Sequence, residues 1–206
     1  RARRGETEIN PRGVRRAGVP MAVESRRVAL VTGCSSGIGE ATALVLASRG
    51  FRVYAGGRTL EGVQHLRGKA PGLEPIELDV RSDASIESAV SRVVDEAGRI
   101  DVLVNNAGVG IFGAAEDLDR DAWRKQFEVN LFGAAVLTRV VLPIMRAQRD
   151  GYIVNVSSVA GRVSVPLMGA YCASKFALEA FSDALRVECR PFGVKVVVVE
   201  PGSTHT

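Results

Sequence analysis

Tyr171 and Lys175 close the run Tyr-Cys-Ala-Ser-Lys, a spacing that places a phenol and an ammonium one turn apart on one helical face. A free tyrosine gives up its proton only near pH ~10, too high for efficient transfer at neutral pH. A neighbouring cation favours the phenolate, so the pair has the chemistry of an acid and base for an alcohol or a carbonyl. Ser158, thirteen residues before the tyrosine, has a hydroxyl able to polarise a carbonyl and steady an alkoxide-like transition state. Each residue also has a plain structural reading. Tyr171 could pack a helix, Lys175 could sit on a solvated face, Ser158 could cap a turn, and Asn130 could be a buried hydrogen-bond partner.

A second constellation lies near the start of the chain, where an apolar run leads into Thr32-Gly33-Cys34-Ser35-Ser36-Gly37-Ile38-Gly39 and then into a helical pattern. Glycines there let the backbone turn sharply, approach a pyrophosphate and aim free N–H groups at it from a helix N-terminus. At the end of the next apolar run, Tyr54-Ala55-Gly56-Gly57-Arg58-Thr59 lacks the carboxylate that would hold the ribose of NAD. Arg58 instead offers a fork to a 2′-phosphate, which predicts a preference for NADP(H). Its plain reading is a solvated surface arginine.

These residues need elements to carry them. From Arg27 onward, short runs rich in Val and Ile alternate with stretches of helical period, the pattern of a parallel sheet covered on both faces. Strands are predicted at 28–31, 51–55, 76–78, 102–104, 152–156 and 194–199, and helices at 38–49, 60–69, 83–97, 121–147 and 167–190. Gly50, Gly98 and Gly193 stand where helices hand over to strands. The fold class is α/β, a Rossmann-like doubly wound sheet in a single domain from 27 to 206.

The 206 residues carry 27 Lys and Arg against 23 Asp and Glu. Residues 1–27 hold eight Arg and three Glu. The basic excess therefore belongs to the extension, and the domain itself gives no electrostatic reason to expect nucleic acid as partner. Residues 1–26 are expected to form a disordered, Arg-rich extension, with Met21 as a plausible start. Arginines in the extension that bind acidic lipid or nucleic acid are a separate, weaker reading. No apolar run is expected to reach the roughly 20 residues of a membrane span. Cys34, Cys172 and Cys189 lack metal-ligand or CxxC spacing, which predicts reduced thiols, no metal and a cytoplasmic setting.

Taken together, Thr32 to Gly39, Asn105-Asn106-Ala107-Gly108, Asn130, Ser157-Ser158, Tyr171 to Lys175 and Pro201-Gly202 closely resemble the short-chain dehydrogenase/reductase family. The likeness runs from 27 to 206. The TGCSSGIG turn, VYAGGR and the closing GSTHT look most like its 17β-hydroxysteroid and retinol dehydrogenase-like branch.

The resemblance implies the strand order 3-2-1-4-5-6 and transfer of hydride between nicotinamide and a secondary alcohol or ketone, with a lipophilic substrate. It gives Lys175 a second task, bonding the nicotinamide ribose, and gives Asn130 a water that relays protons to that lysine. It places Thr32, Gly33, Ser35, Ser36, Gly37, Ile38 and Gly39 at the pyrophosphate and Asp79 and Val80 at the adenine. Asn106, Ala107 and Gly108 fall along the adenosine side, and Pro201, Gly202 and Thr206 at the nicotinamide. Asp79 could instead cap the following helix, and Asn105 could merely brace strands.

Members of the family usually continue past the Pro-Gly motif with another strand and a substrate-covering helical segment. A chain stopping at Thr206 reads as truncated, with weak cofactor binding, little turnover and poor solubility expected. The family also implies a homodimer or homotetramer built on the fourth and fifth predicted helices. A non-catalytic NADP-binding regulator, or an inactive fragment of the oxidoreductase, is the alternative. Such regulators usually lose the Tyr/Lys pair that is kept here.

Overall fold

Six short runs carry apolar side chains, continuously in Val28–Val31 and Val102–Val104, because a strand buried on both faces has no solvent side on which to place polar residues. In this computed structural model, which describes residues 26–203, those runs become β1 (Val28–Val31), β2 (Arg52–Gly57), β3 (Leu73–Glu77), β4 (Val102–Asn105), β5 (Gly151–Val156) and β6 (Val194–Val199). The Arg-rich extension to residue 25 and the expected contact Thr206 lie outside the described residues. The strands form one sheet in the order β3-β2-β1-β4-β5-β6, and every pairing is parallel.

Successive residues of each strand point to opposite faces. Val28 and Leu30 join one apolar cluster with Ile86, Leu137 and Leu185, while Ala29 and Val31 join a second with Ala43 and Ala47. The helices behind these clusters are α1 (Gly37–Ser48), α3 (Asp83–Ala97), α5 (Gly133–Gln148) and α6 (Gly169–Cys189). Gly50, Gly98 and Gly193 all take the positive φ expected at the handovers into β2, β4 and β6.

Three predicted helices differ from those observed. The stretch 60–69 supports only a short α2 (Leu60–Val63) and a 3-10 turn (Gln64–Leu66). The α6 helix starts at Gly169 rather than 167. The continuous helix expected over 121–147 is divided into α4 (Arg120–Phe127), a π turn (Glu128–Phe132) and α5. The π turn widens the coil by one residue, and the Gly133 N–H reaches the Glu128 carbonyl across it.

Arg120–Gln148 contains a stretch long and apolar enough to cross a membrane by length and composition only. A third of that stretch is buried inside the fold. Leu137, Val141 and Met145 are fully buried in the core.

The site end of the sheet depends on one close approach. A Cβ on Gly39 would fall 2.2 Å from the Gly33 carbonyl oxygen and 2.4 Å from Asn106 Nδ2. Gly39→Ala should therefore lower stability by about 1–3 kcal/mol through overpacking. Chemical denaturation checks this, and an unchanged midpoint would show that the turn has slack.

Candidate active site

Turns leaving the C-terminal ends of β1 and β4 enclose a crevice where the strand order reverses direction, the place where open parallel sheets admit ligands. Two cavities fill it, one of about 460 Å³ and one of about 310 Å³, and both are lined by Ile38, Asn106 and Gly108. They form neighbouring parts of one cleft.

The larger cavity is floored by the turn from β1 into α1. Gly33 and Gly37 take φ of +68° and +61°, bending the chain so that Ser35, Ser36 and Gly37 line the cavity at the start of α1. Ser36 precedes the helix with no side-chain capping bond, so its hydroxyl is not spent on the helix. Cys34 points the other way. Burial pushes its thiol up to about 12, and its Sγ donates to the Val31 carbonyl, which leaves it no part in the cleft.

Thr32 differs in position from its neighbours. Its hydroxyl accepts from the backbone N–H groups of Asn106 and Ala107, both at 2.9 Å, and donates to the Val104 carbonyl. It is 1% exposed and does not line either cavity. The Asn106 side chain returns the connection, donating to the carbonyls of Thr32 and Gly33. Thr32 and Asn106 thus clamp the turn after β1 to the turn after β4. Gly39 also lies behind the cavity wall. Asn105 braces the sheet from β4, donating to Asn155 Oδ1 and Thr138 Oγ1.

At the far end of the same cavity stand Arg58, Asp79, Val80 and Arg81. Asp79 does not cap α3; Ser82 does, accepting from the Ser85 N–H. The Asp79 carboxylate is instead gripped by Arg81, whose side-chain bonds hold it below its ordinary pKa, with Arg58 adding to the effect. Arg81 and Lys125, a further cation on this wall, were not singled out from the sequence. A lone charge in a loop or on an amphipathic helix gives no signal until the fold brings it to a cavity.

The smaller cavity is lined by Ser158, Tyr171, Lys175, Pro201 and Gly202. Tyr171 and Lys175 lie on the first turns of α6, with Nζ 5.8 Å from the phenol ring centre. Lys175 is only 4% exposed, and its ammonium donates to the Val156 carbonyl at 2.8 Å. Burial lowers its pKa to about 8, partly opposed by Glu179 one turn further along. Ser158 accepts from the Ala160 N–H as the cap of a 3-10 turn, which leaves its own O–H free to donate. Phe112 meets Tyr171 edge-on with ring centres 5.8 Å apart.

Asn130 sits in the π turn. Its Oδ1 accepts from Val109 N–H, while Nδ2 donates to the Val109 carbonyl and to Ser174 Oγ. The amide is committed to fixing the loop after β4 against α6. Gln126 does the same one turn earlier, accepting from Ile111 N–H and donating to the Val109 carbonyl.

Holding a lysine out of water has a thermodynamic signature. The folded pKa lies below that of an unfolded lysine, so the unfavourable contribution is full below about pH 8 and disappears as pH rises past the unfolded value. Lys175→Met should raise stability at pH 7 by up to about 3 kcal/mol, less the loss of the Val156 bond, and the gain should shrink between pH ~8 and ~10.5. Urea denaturation across that range checks it; a gain that grows with pH would contradict it.

Comparison with known proteins places this cleft among relatives. The family model described as short chain dehydrogenase matches residues 27–206. A 3-ketodihydrosphingosine reductase from Bacteroides thetaiotaomicron is 40% identical over 181 residues, covering 87% of this chain and 65% of that protein. Human 17-beta-hydroxysteroid dehydrogenase type 1 is 41% identical over 192 residues, covering 88% and 58%. Among solved structures, a short-chain dehydrogenase from Streptomyces avermitilis superposes with a TM-score of 0.84 at 42% identity, covering 87% of this chain and 68% of that one. A gluconate 5-dehydrogenase from Burkholderia cenocepacia in complex with NADP and tartrate gives 0.82 at 28% identity, covering 87% and 72%. The chain spans 65% or less of the length of these two curated relatives. With a parallel sheet in this order and a family match across nearly all its described residues, the chain belongs to the short chain dehydrogenase family.

Proposed function

We propose that the chain is the catalytic and cofactor-binding part of an NADP(H)-dependent oxidoreductase that interconverts a secondary alcohol and a ketone. The observation that carries this reading is the convergence of Ser158, Tyr171 and Lys175 on one cavity that adjoins a glycine-turned phosphate cradle. The cradle fits a dinucleotide. The turn after β1 opens at a helix N-terminus, Ser36 has an uncommitted hydroxyl, and the two cavities together extend from Arg58 to Gly202.

When bound, the nicotinamide supplies or accepts the hydride. Ser158 turns its free O–H toward the substrate oxygen and stabilises the charge that grows there. Tyr171 donates its phenolic proton to that oxygen during reduction and takes it back during oxidation. Lys175 favours the phenolate by its charge and bonds the ribose. Asn130, whose side chain holds the loop after β4 against α6, would anchor a water that relays protons to Lys175.

Arg58 recognises a 2′-phosphate, supported by its place at the end of a strand that ends without a carboxylate. Exposed Phe112, Val163, Val165 and Leu167 on loops near Tyr171 suit a lipophilic substrate. Three buried free thiols suit a reducing, cytoplasmic setting. Exposed Phe132, Phe176 and Val187 on the π turn and α6 suit a homodimer or homotetramer.

A screen of ketones and secondary alcohols with each cofactor tests the reading. NADPH should outperform NADH, and Arg58→Ala should erase roughly tenfold or more of that preference, the worth of a charge-assisted hydrogen bond. Tyr171→Phe should remove at least about a hundredfold of turnover. NADH used as efficiently as NADPH would overturn the cofactor assignment, and equal activity in Tyr171→Phe would overturn the mechanism.

A further inference from the structure

Glu179 is a glutamate where the core has no evident use for one. It lies one turn beyond Lys175 on α6, is 4% exposed, and neither carboxylate oxygen has a hydrogen-bond partner among the described residues. Arg162 Nη2 comes within 3.1 Å of Oε2, off the axis that a hydrogen bond needs. That guanidinium is half exposed and is shared with Glu200 at 2.8 Å. A buried carboxylate with an ion pair at one oxygen and no hydrogen bond at either is costly, so its retention one turn from a buried ammonium calls for a reason.

The local backbone makes room for it. Glu179 Oε1 and Ser157 Oγ both lie within 3.2 Å of the point a Gly161 Cβ would occupy. The Ser157 hydroxyl is likewise buried without a partner. Gly161 therefore leaves space for a carboxylate directly behind the strand end that presents Val156 to Lys175 and Ser158 to the cavity.

We infer that Glu179 is a positioning residue for the Tyr171–Lys175 pair, its carboxylate holding Lys175 in the ammonium form at the site while Arg162 limits how strongly it does so. The inference rests on the catalytic reading of Lys175 given above. Glu179 shares the buried face of α6 with Lys175 one turn away, and its charge favours the ammonium there against the lowering by burial.

The charges on the neighbouring elements are otherwise engaged. Arg162, after β5, is shared between Glu179 and Glu200, the latter beyond β6. Lys195 of β6 donates to the Tyr152 hydroxyl. Lys125 of α4 lines the larger cavity, and Glu128 of the π turn acts on Arg81. Arg190 lies in the turn at the far end of α6.

The chain has four lysines, at 69, 125, 175 and 195. A ¹⁵N-lysine-labelled sample should therefore give a resolvable Nζ signal for Lys175, assigned with Lys175→Met. Its titration reads the inference directly, without turnover. Glu179→Gln should lower the Lys175 midpoint by about one pH unit. Arg162→Met, a change at an exposed side chain, should raise it by a smaller amount, because the carboxylate then acts on Lys175 alone.

The alkaline limb of NADPH binding, followed by fluorescence, should move in the same directions. Glu179→Asp should restore part of the shift. If Glu179→Gln does not fold, the direction of the Arg162→Met shift decides. A Lys175 midpoint unmoved or shifted down by Arg162→Met overturns the inference, as does one unmoved by Glu179→Gln. The oxidoreductase reading survives such a result and falls only with Tyr171→Phe.

Discussion

An ammonium kept out of water at the end of a parallel sheet sets the terms for the structure around it. Lys175 loses most of its hydration when α6 packs against β5, and among the described residues the Val156 carbonyl replaces one of the three hydrogen bonds it can donate. Burial of this kind is tolerated where it serves a function, because the alternative of a hydrated lysine costs nothing. Here the functional return is proximity. The same helical turn that buries Lys175 holds Tyr171 beside it, and the strand that supplies Val156 delivers Ser158 two residues later.

The surroundings of the cleft are rigid for reasons separate from ligand contact. Thr32 and Asn106 join the turns after β1 and β4, so neither turn can shift without breaking hydrogen bonds in the other. Asn130 and Gln126 fasten the loop that follows β4 to the helix carrying the π turn. That turn is where the coil must widen, since Gly133 packs so closely that a Cβ there would lie 2.7 Å from Val80 Cβ. Side chains at the crevice are thus divided between those that face the cavities and those that hold the walls still, which is what a preorganised site requires.

Much of this was legible in the sequence because it depends on local pattern. Runs such as Val28–Val31 and Val194–Val199 announce buried strands, and Gly50, Gly98 and Gly193 mark handovers that need positive φ. The spacing of Tyr171 and Lys175 fixes their shared face whatever the rest of the chain does. What was not legible depends on tertiary contact. The π turn lies beside the packing of Gly133 on Val80, two segments far apart in sequence. Thr32 reads as a ligand contact from its place in the motif, yet its hydroxyl bonds backbone groups of β4 and the turn after it, some seventy residues on. Arg81 and Glu179 carry no pattern at all, and only burial and the neighbouring cavity give them meaning.

The account stands on Lys175 tuning Tyr171, and the pH dependence of alcohol oxidation measures that coupling directly. With NADP and a secondary alcohol, kcat/KM should rise with pH, as a step that needs a general base requires. In Lys175→Met that rise should move to higher pH by about one unit or more, because the cation that favours the phenolate is gone. A rise at the same pH in both proteins would contradict the account, whatever the loss in absolute rate.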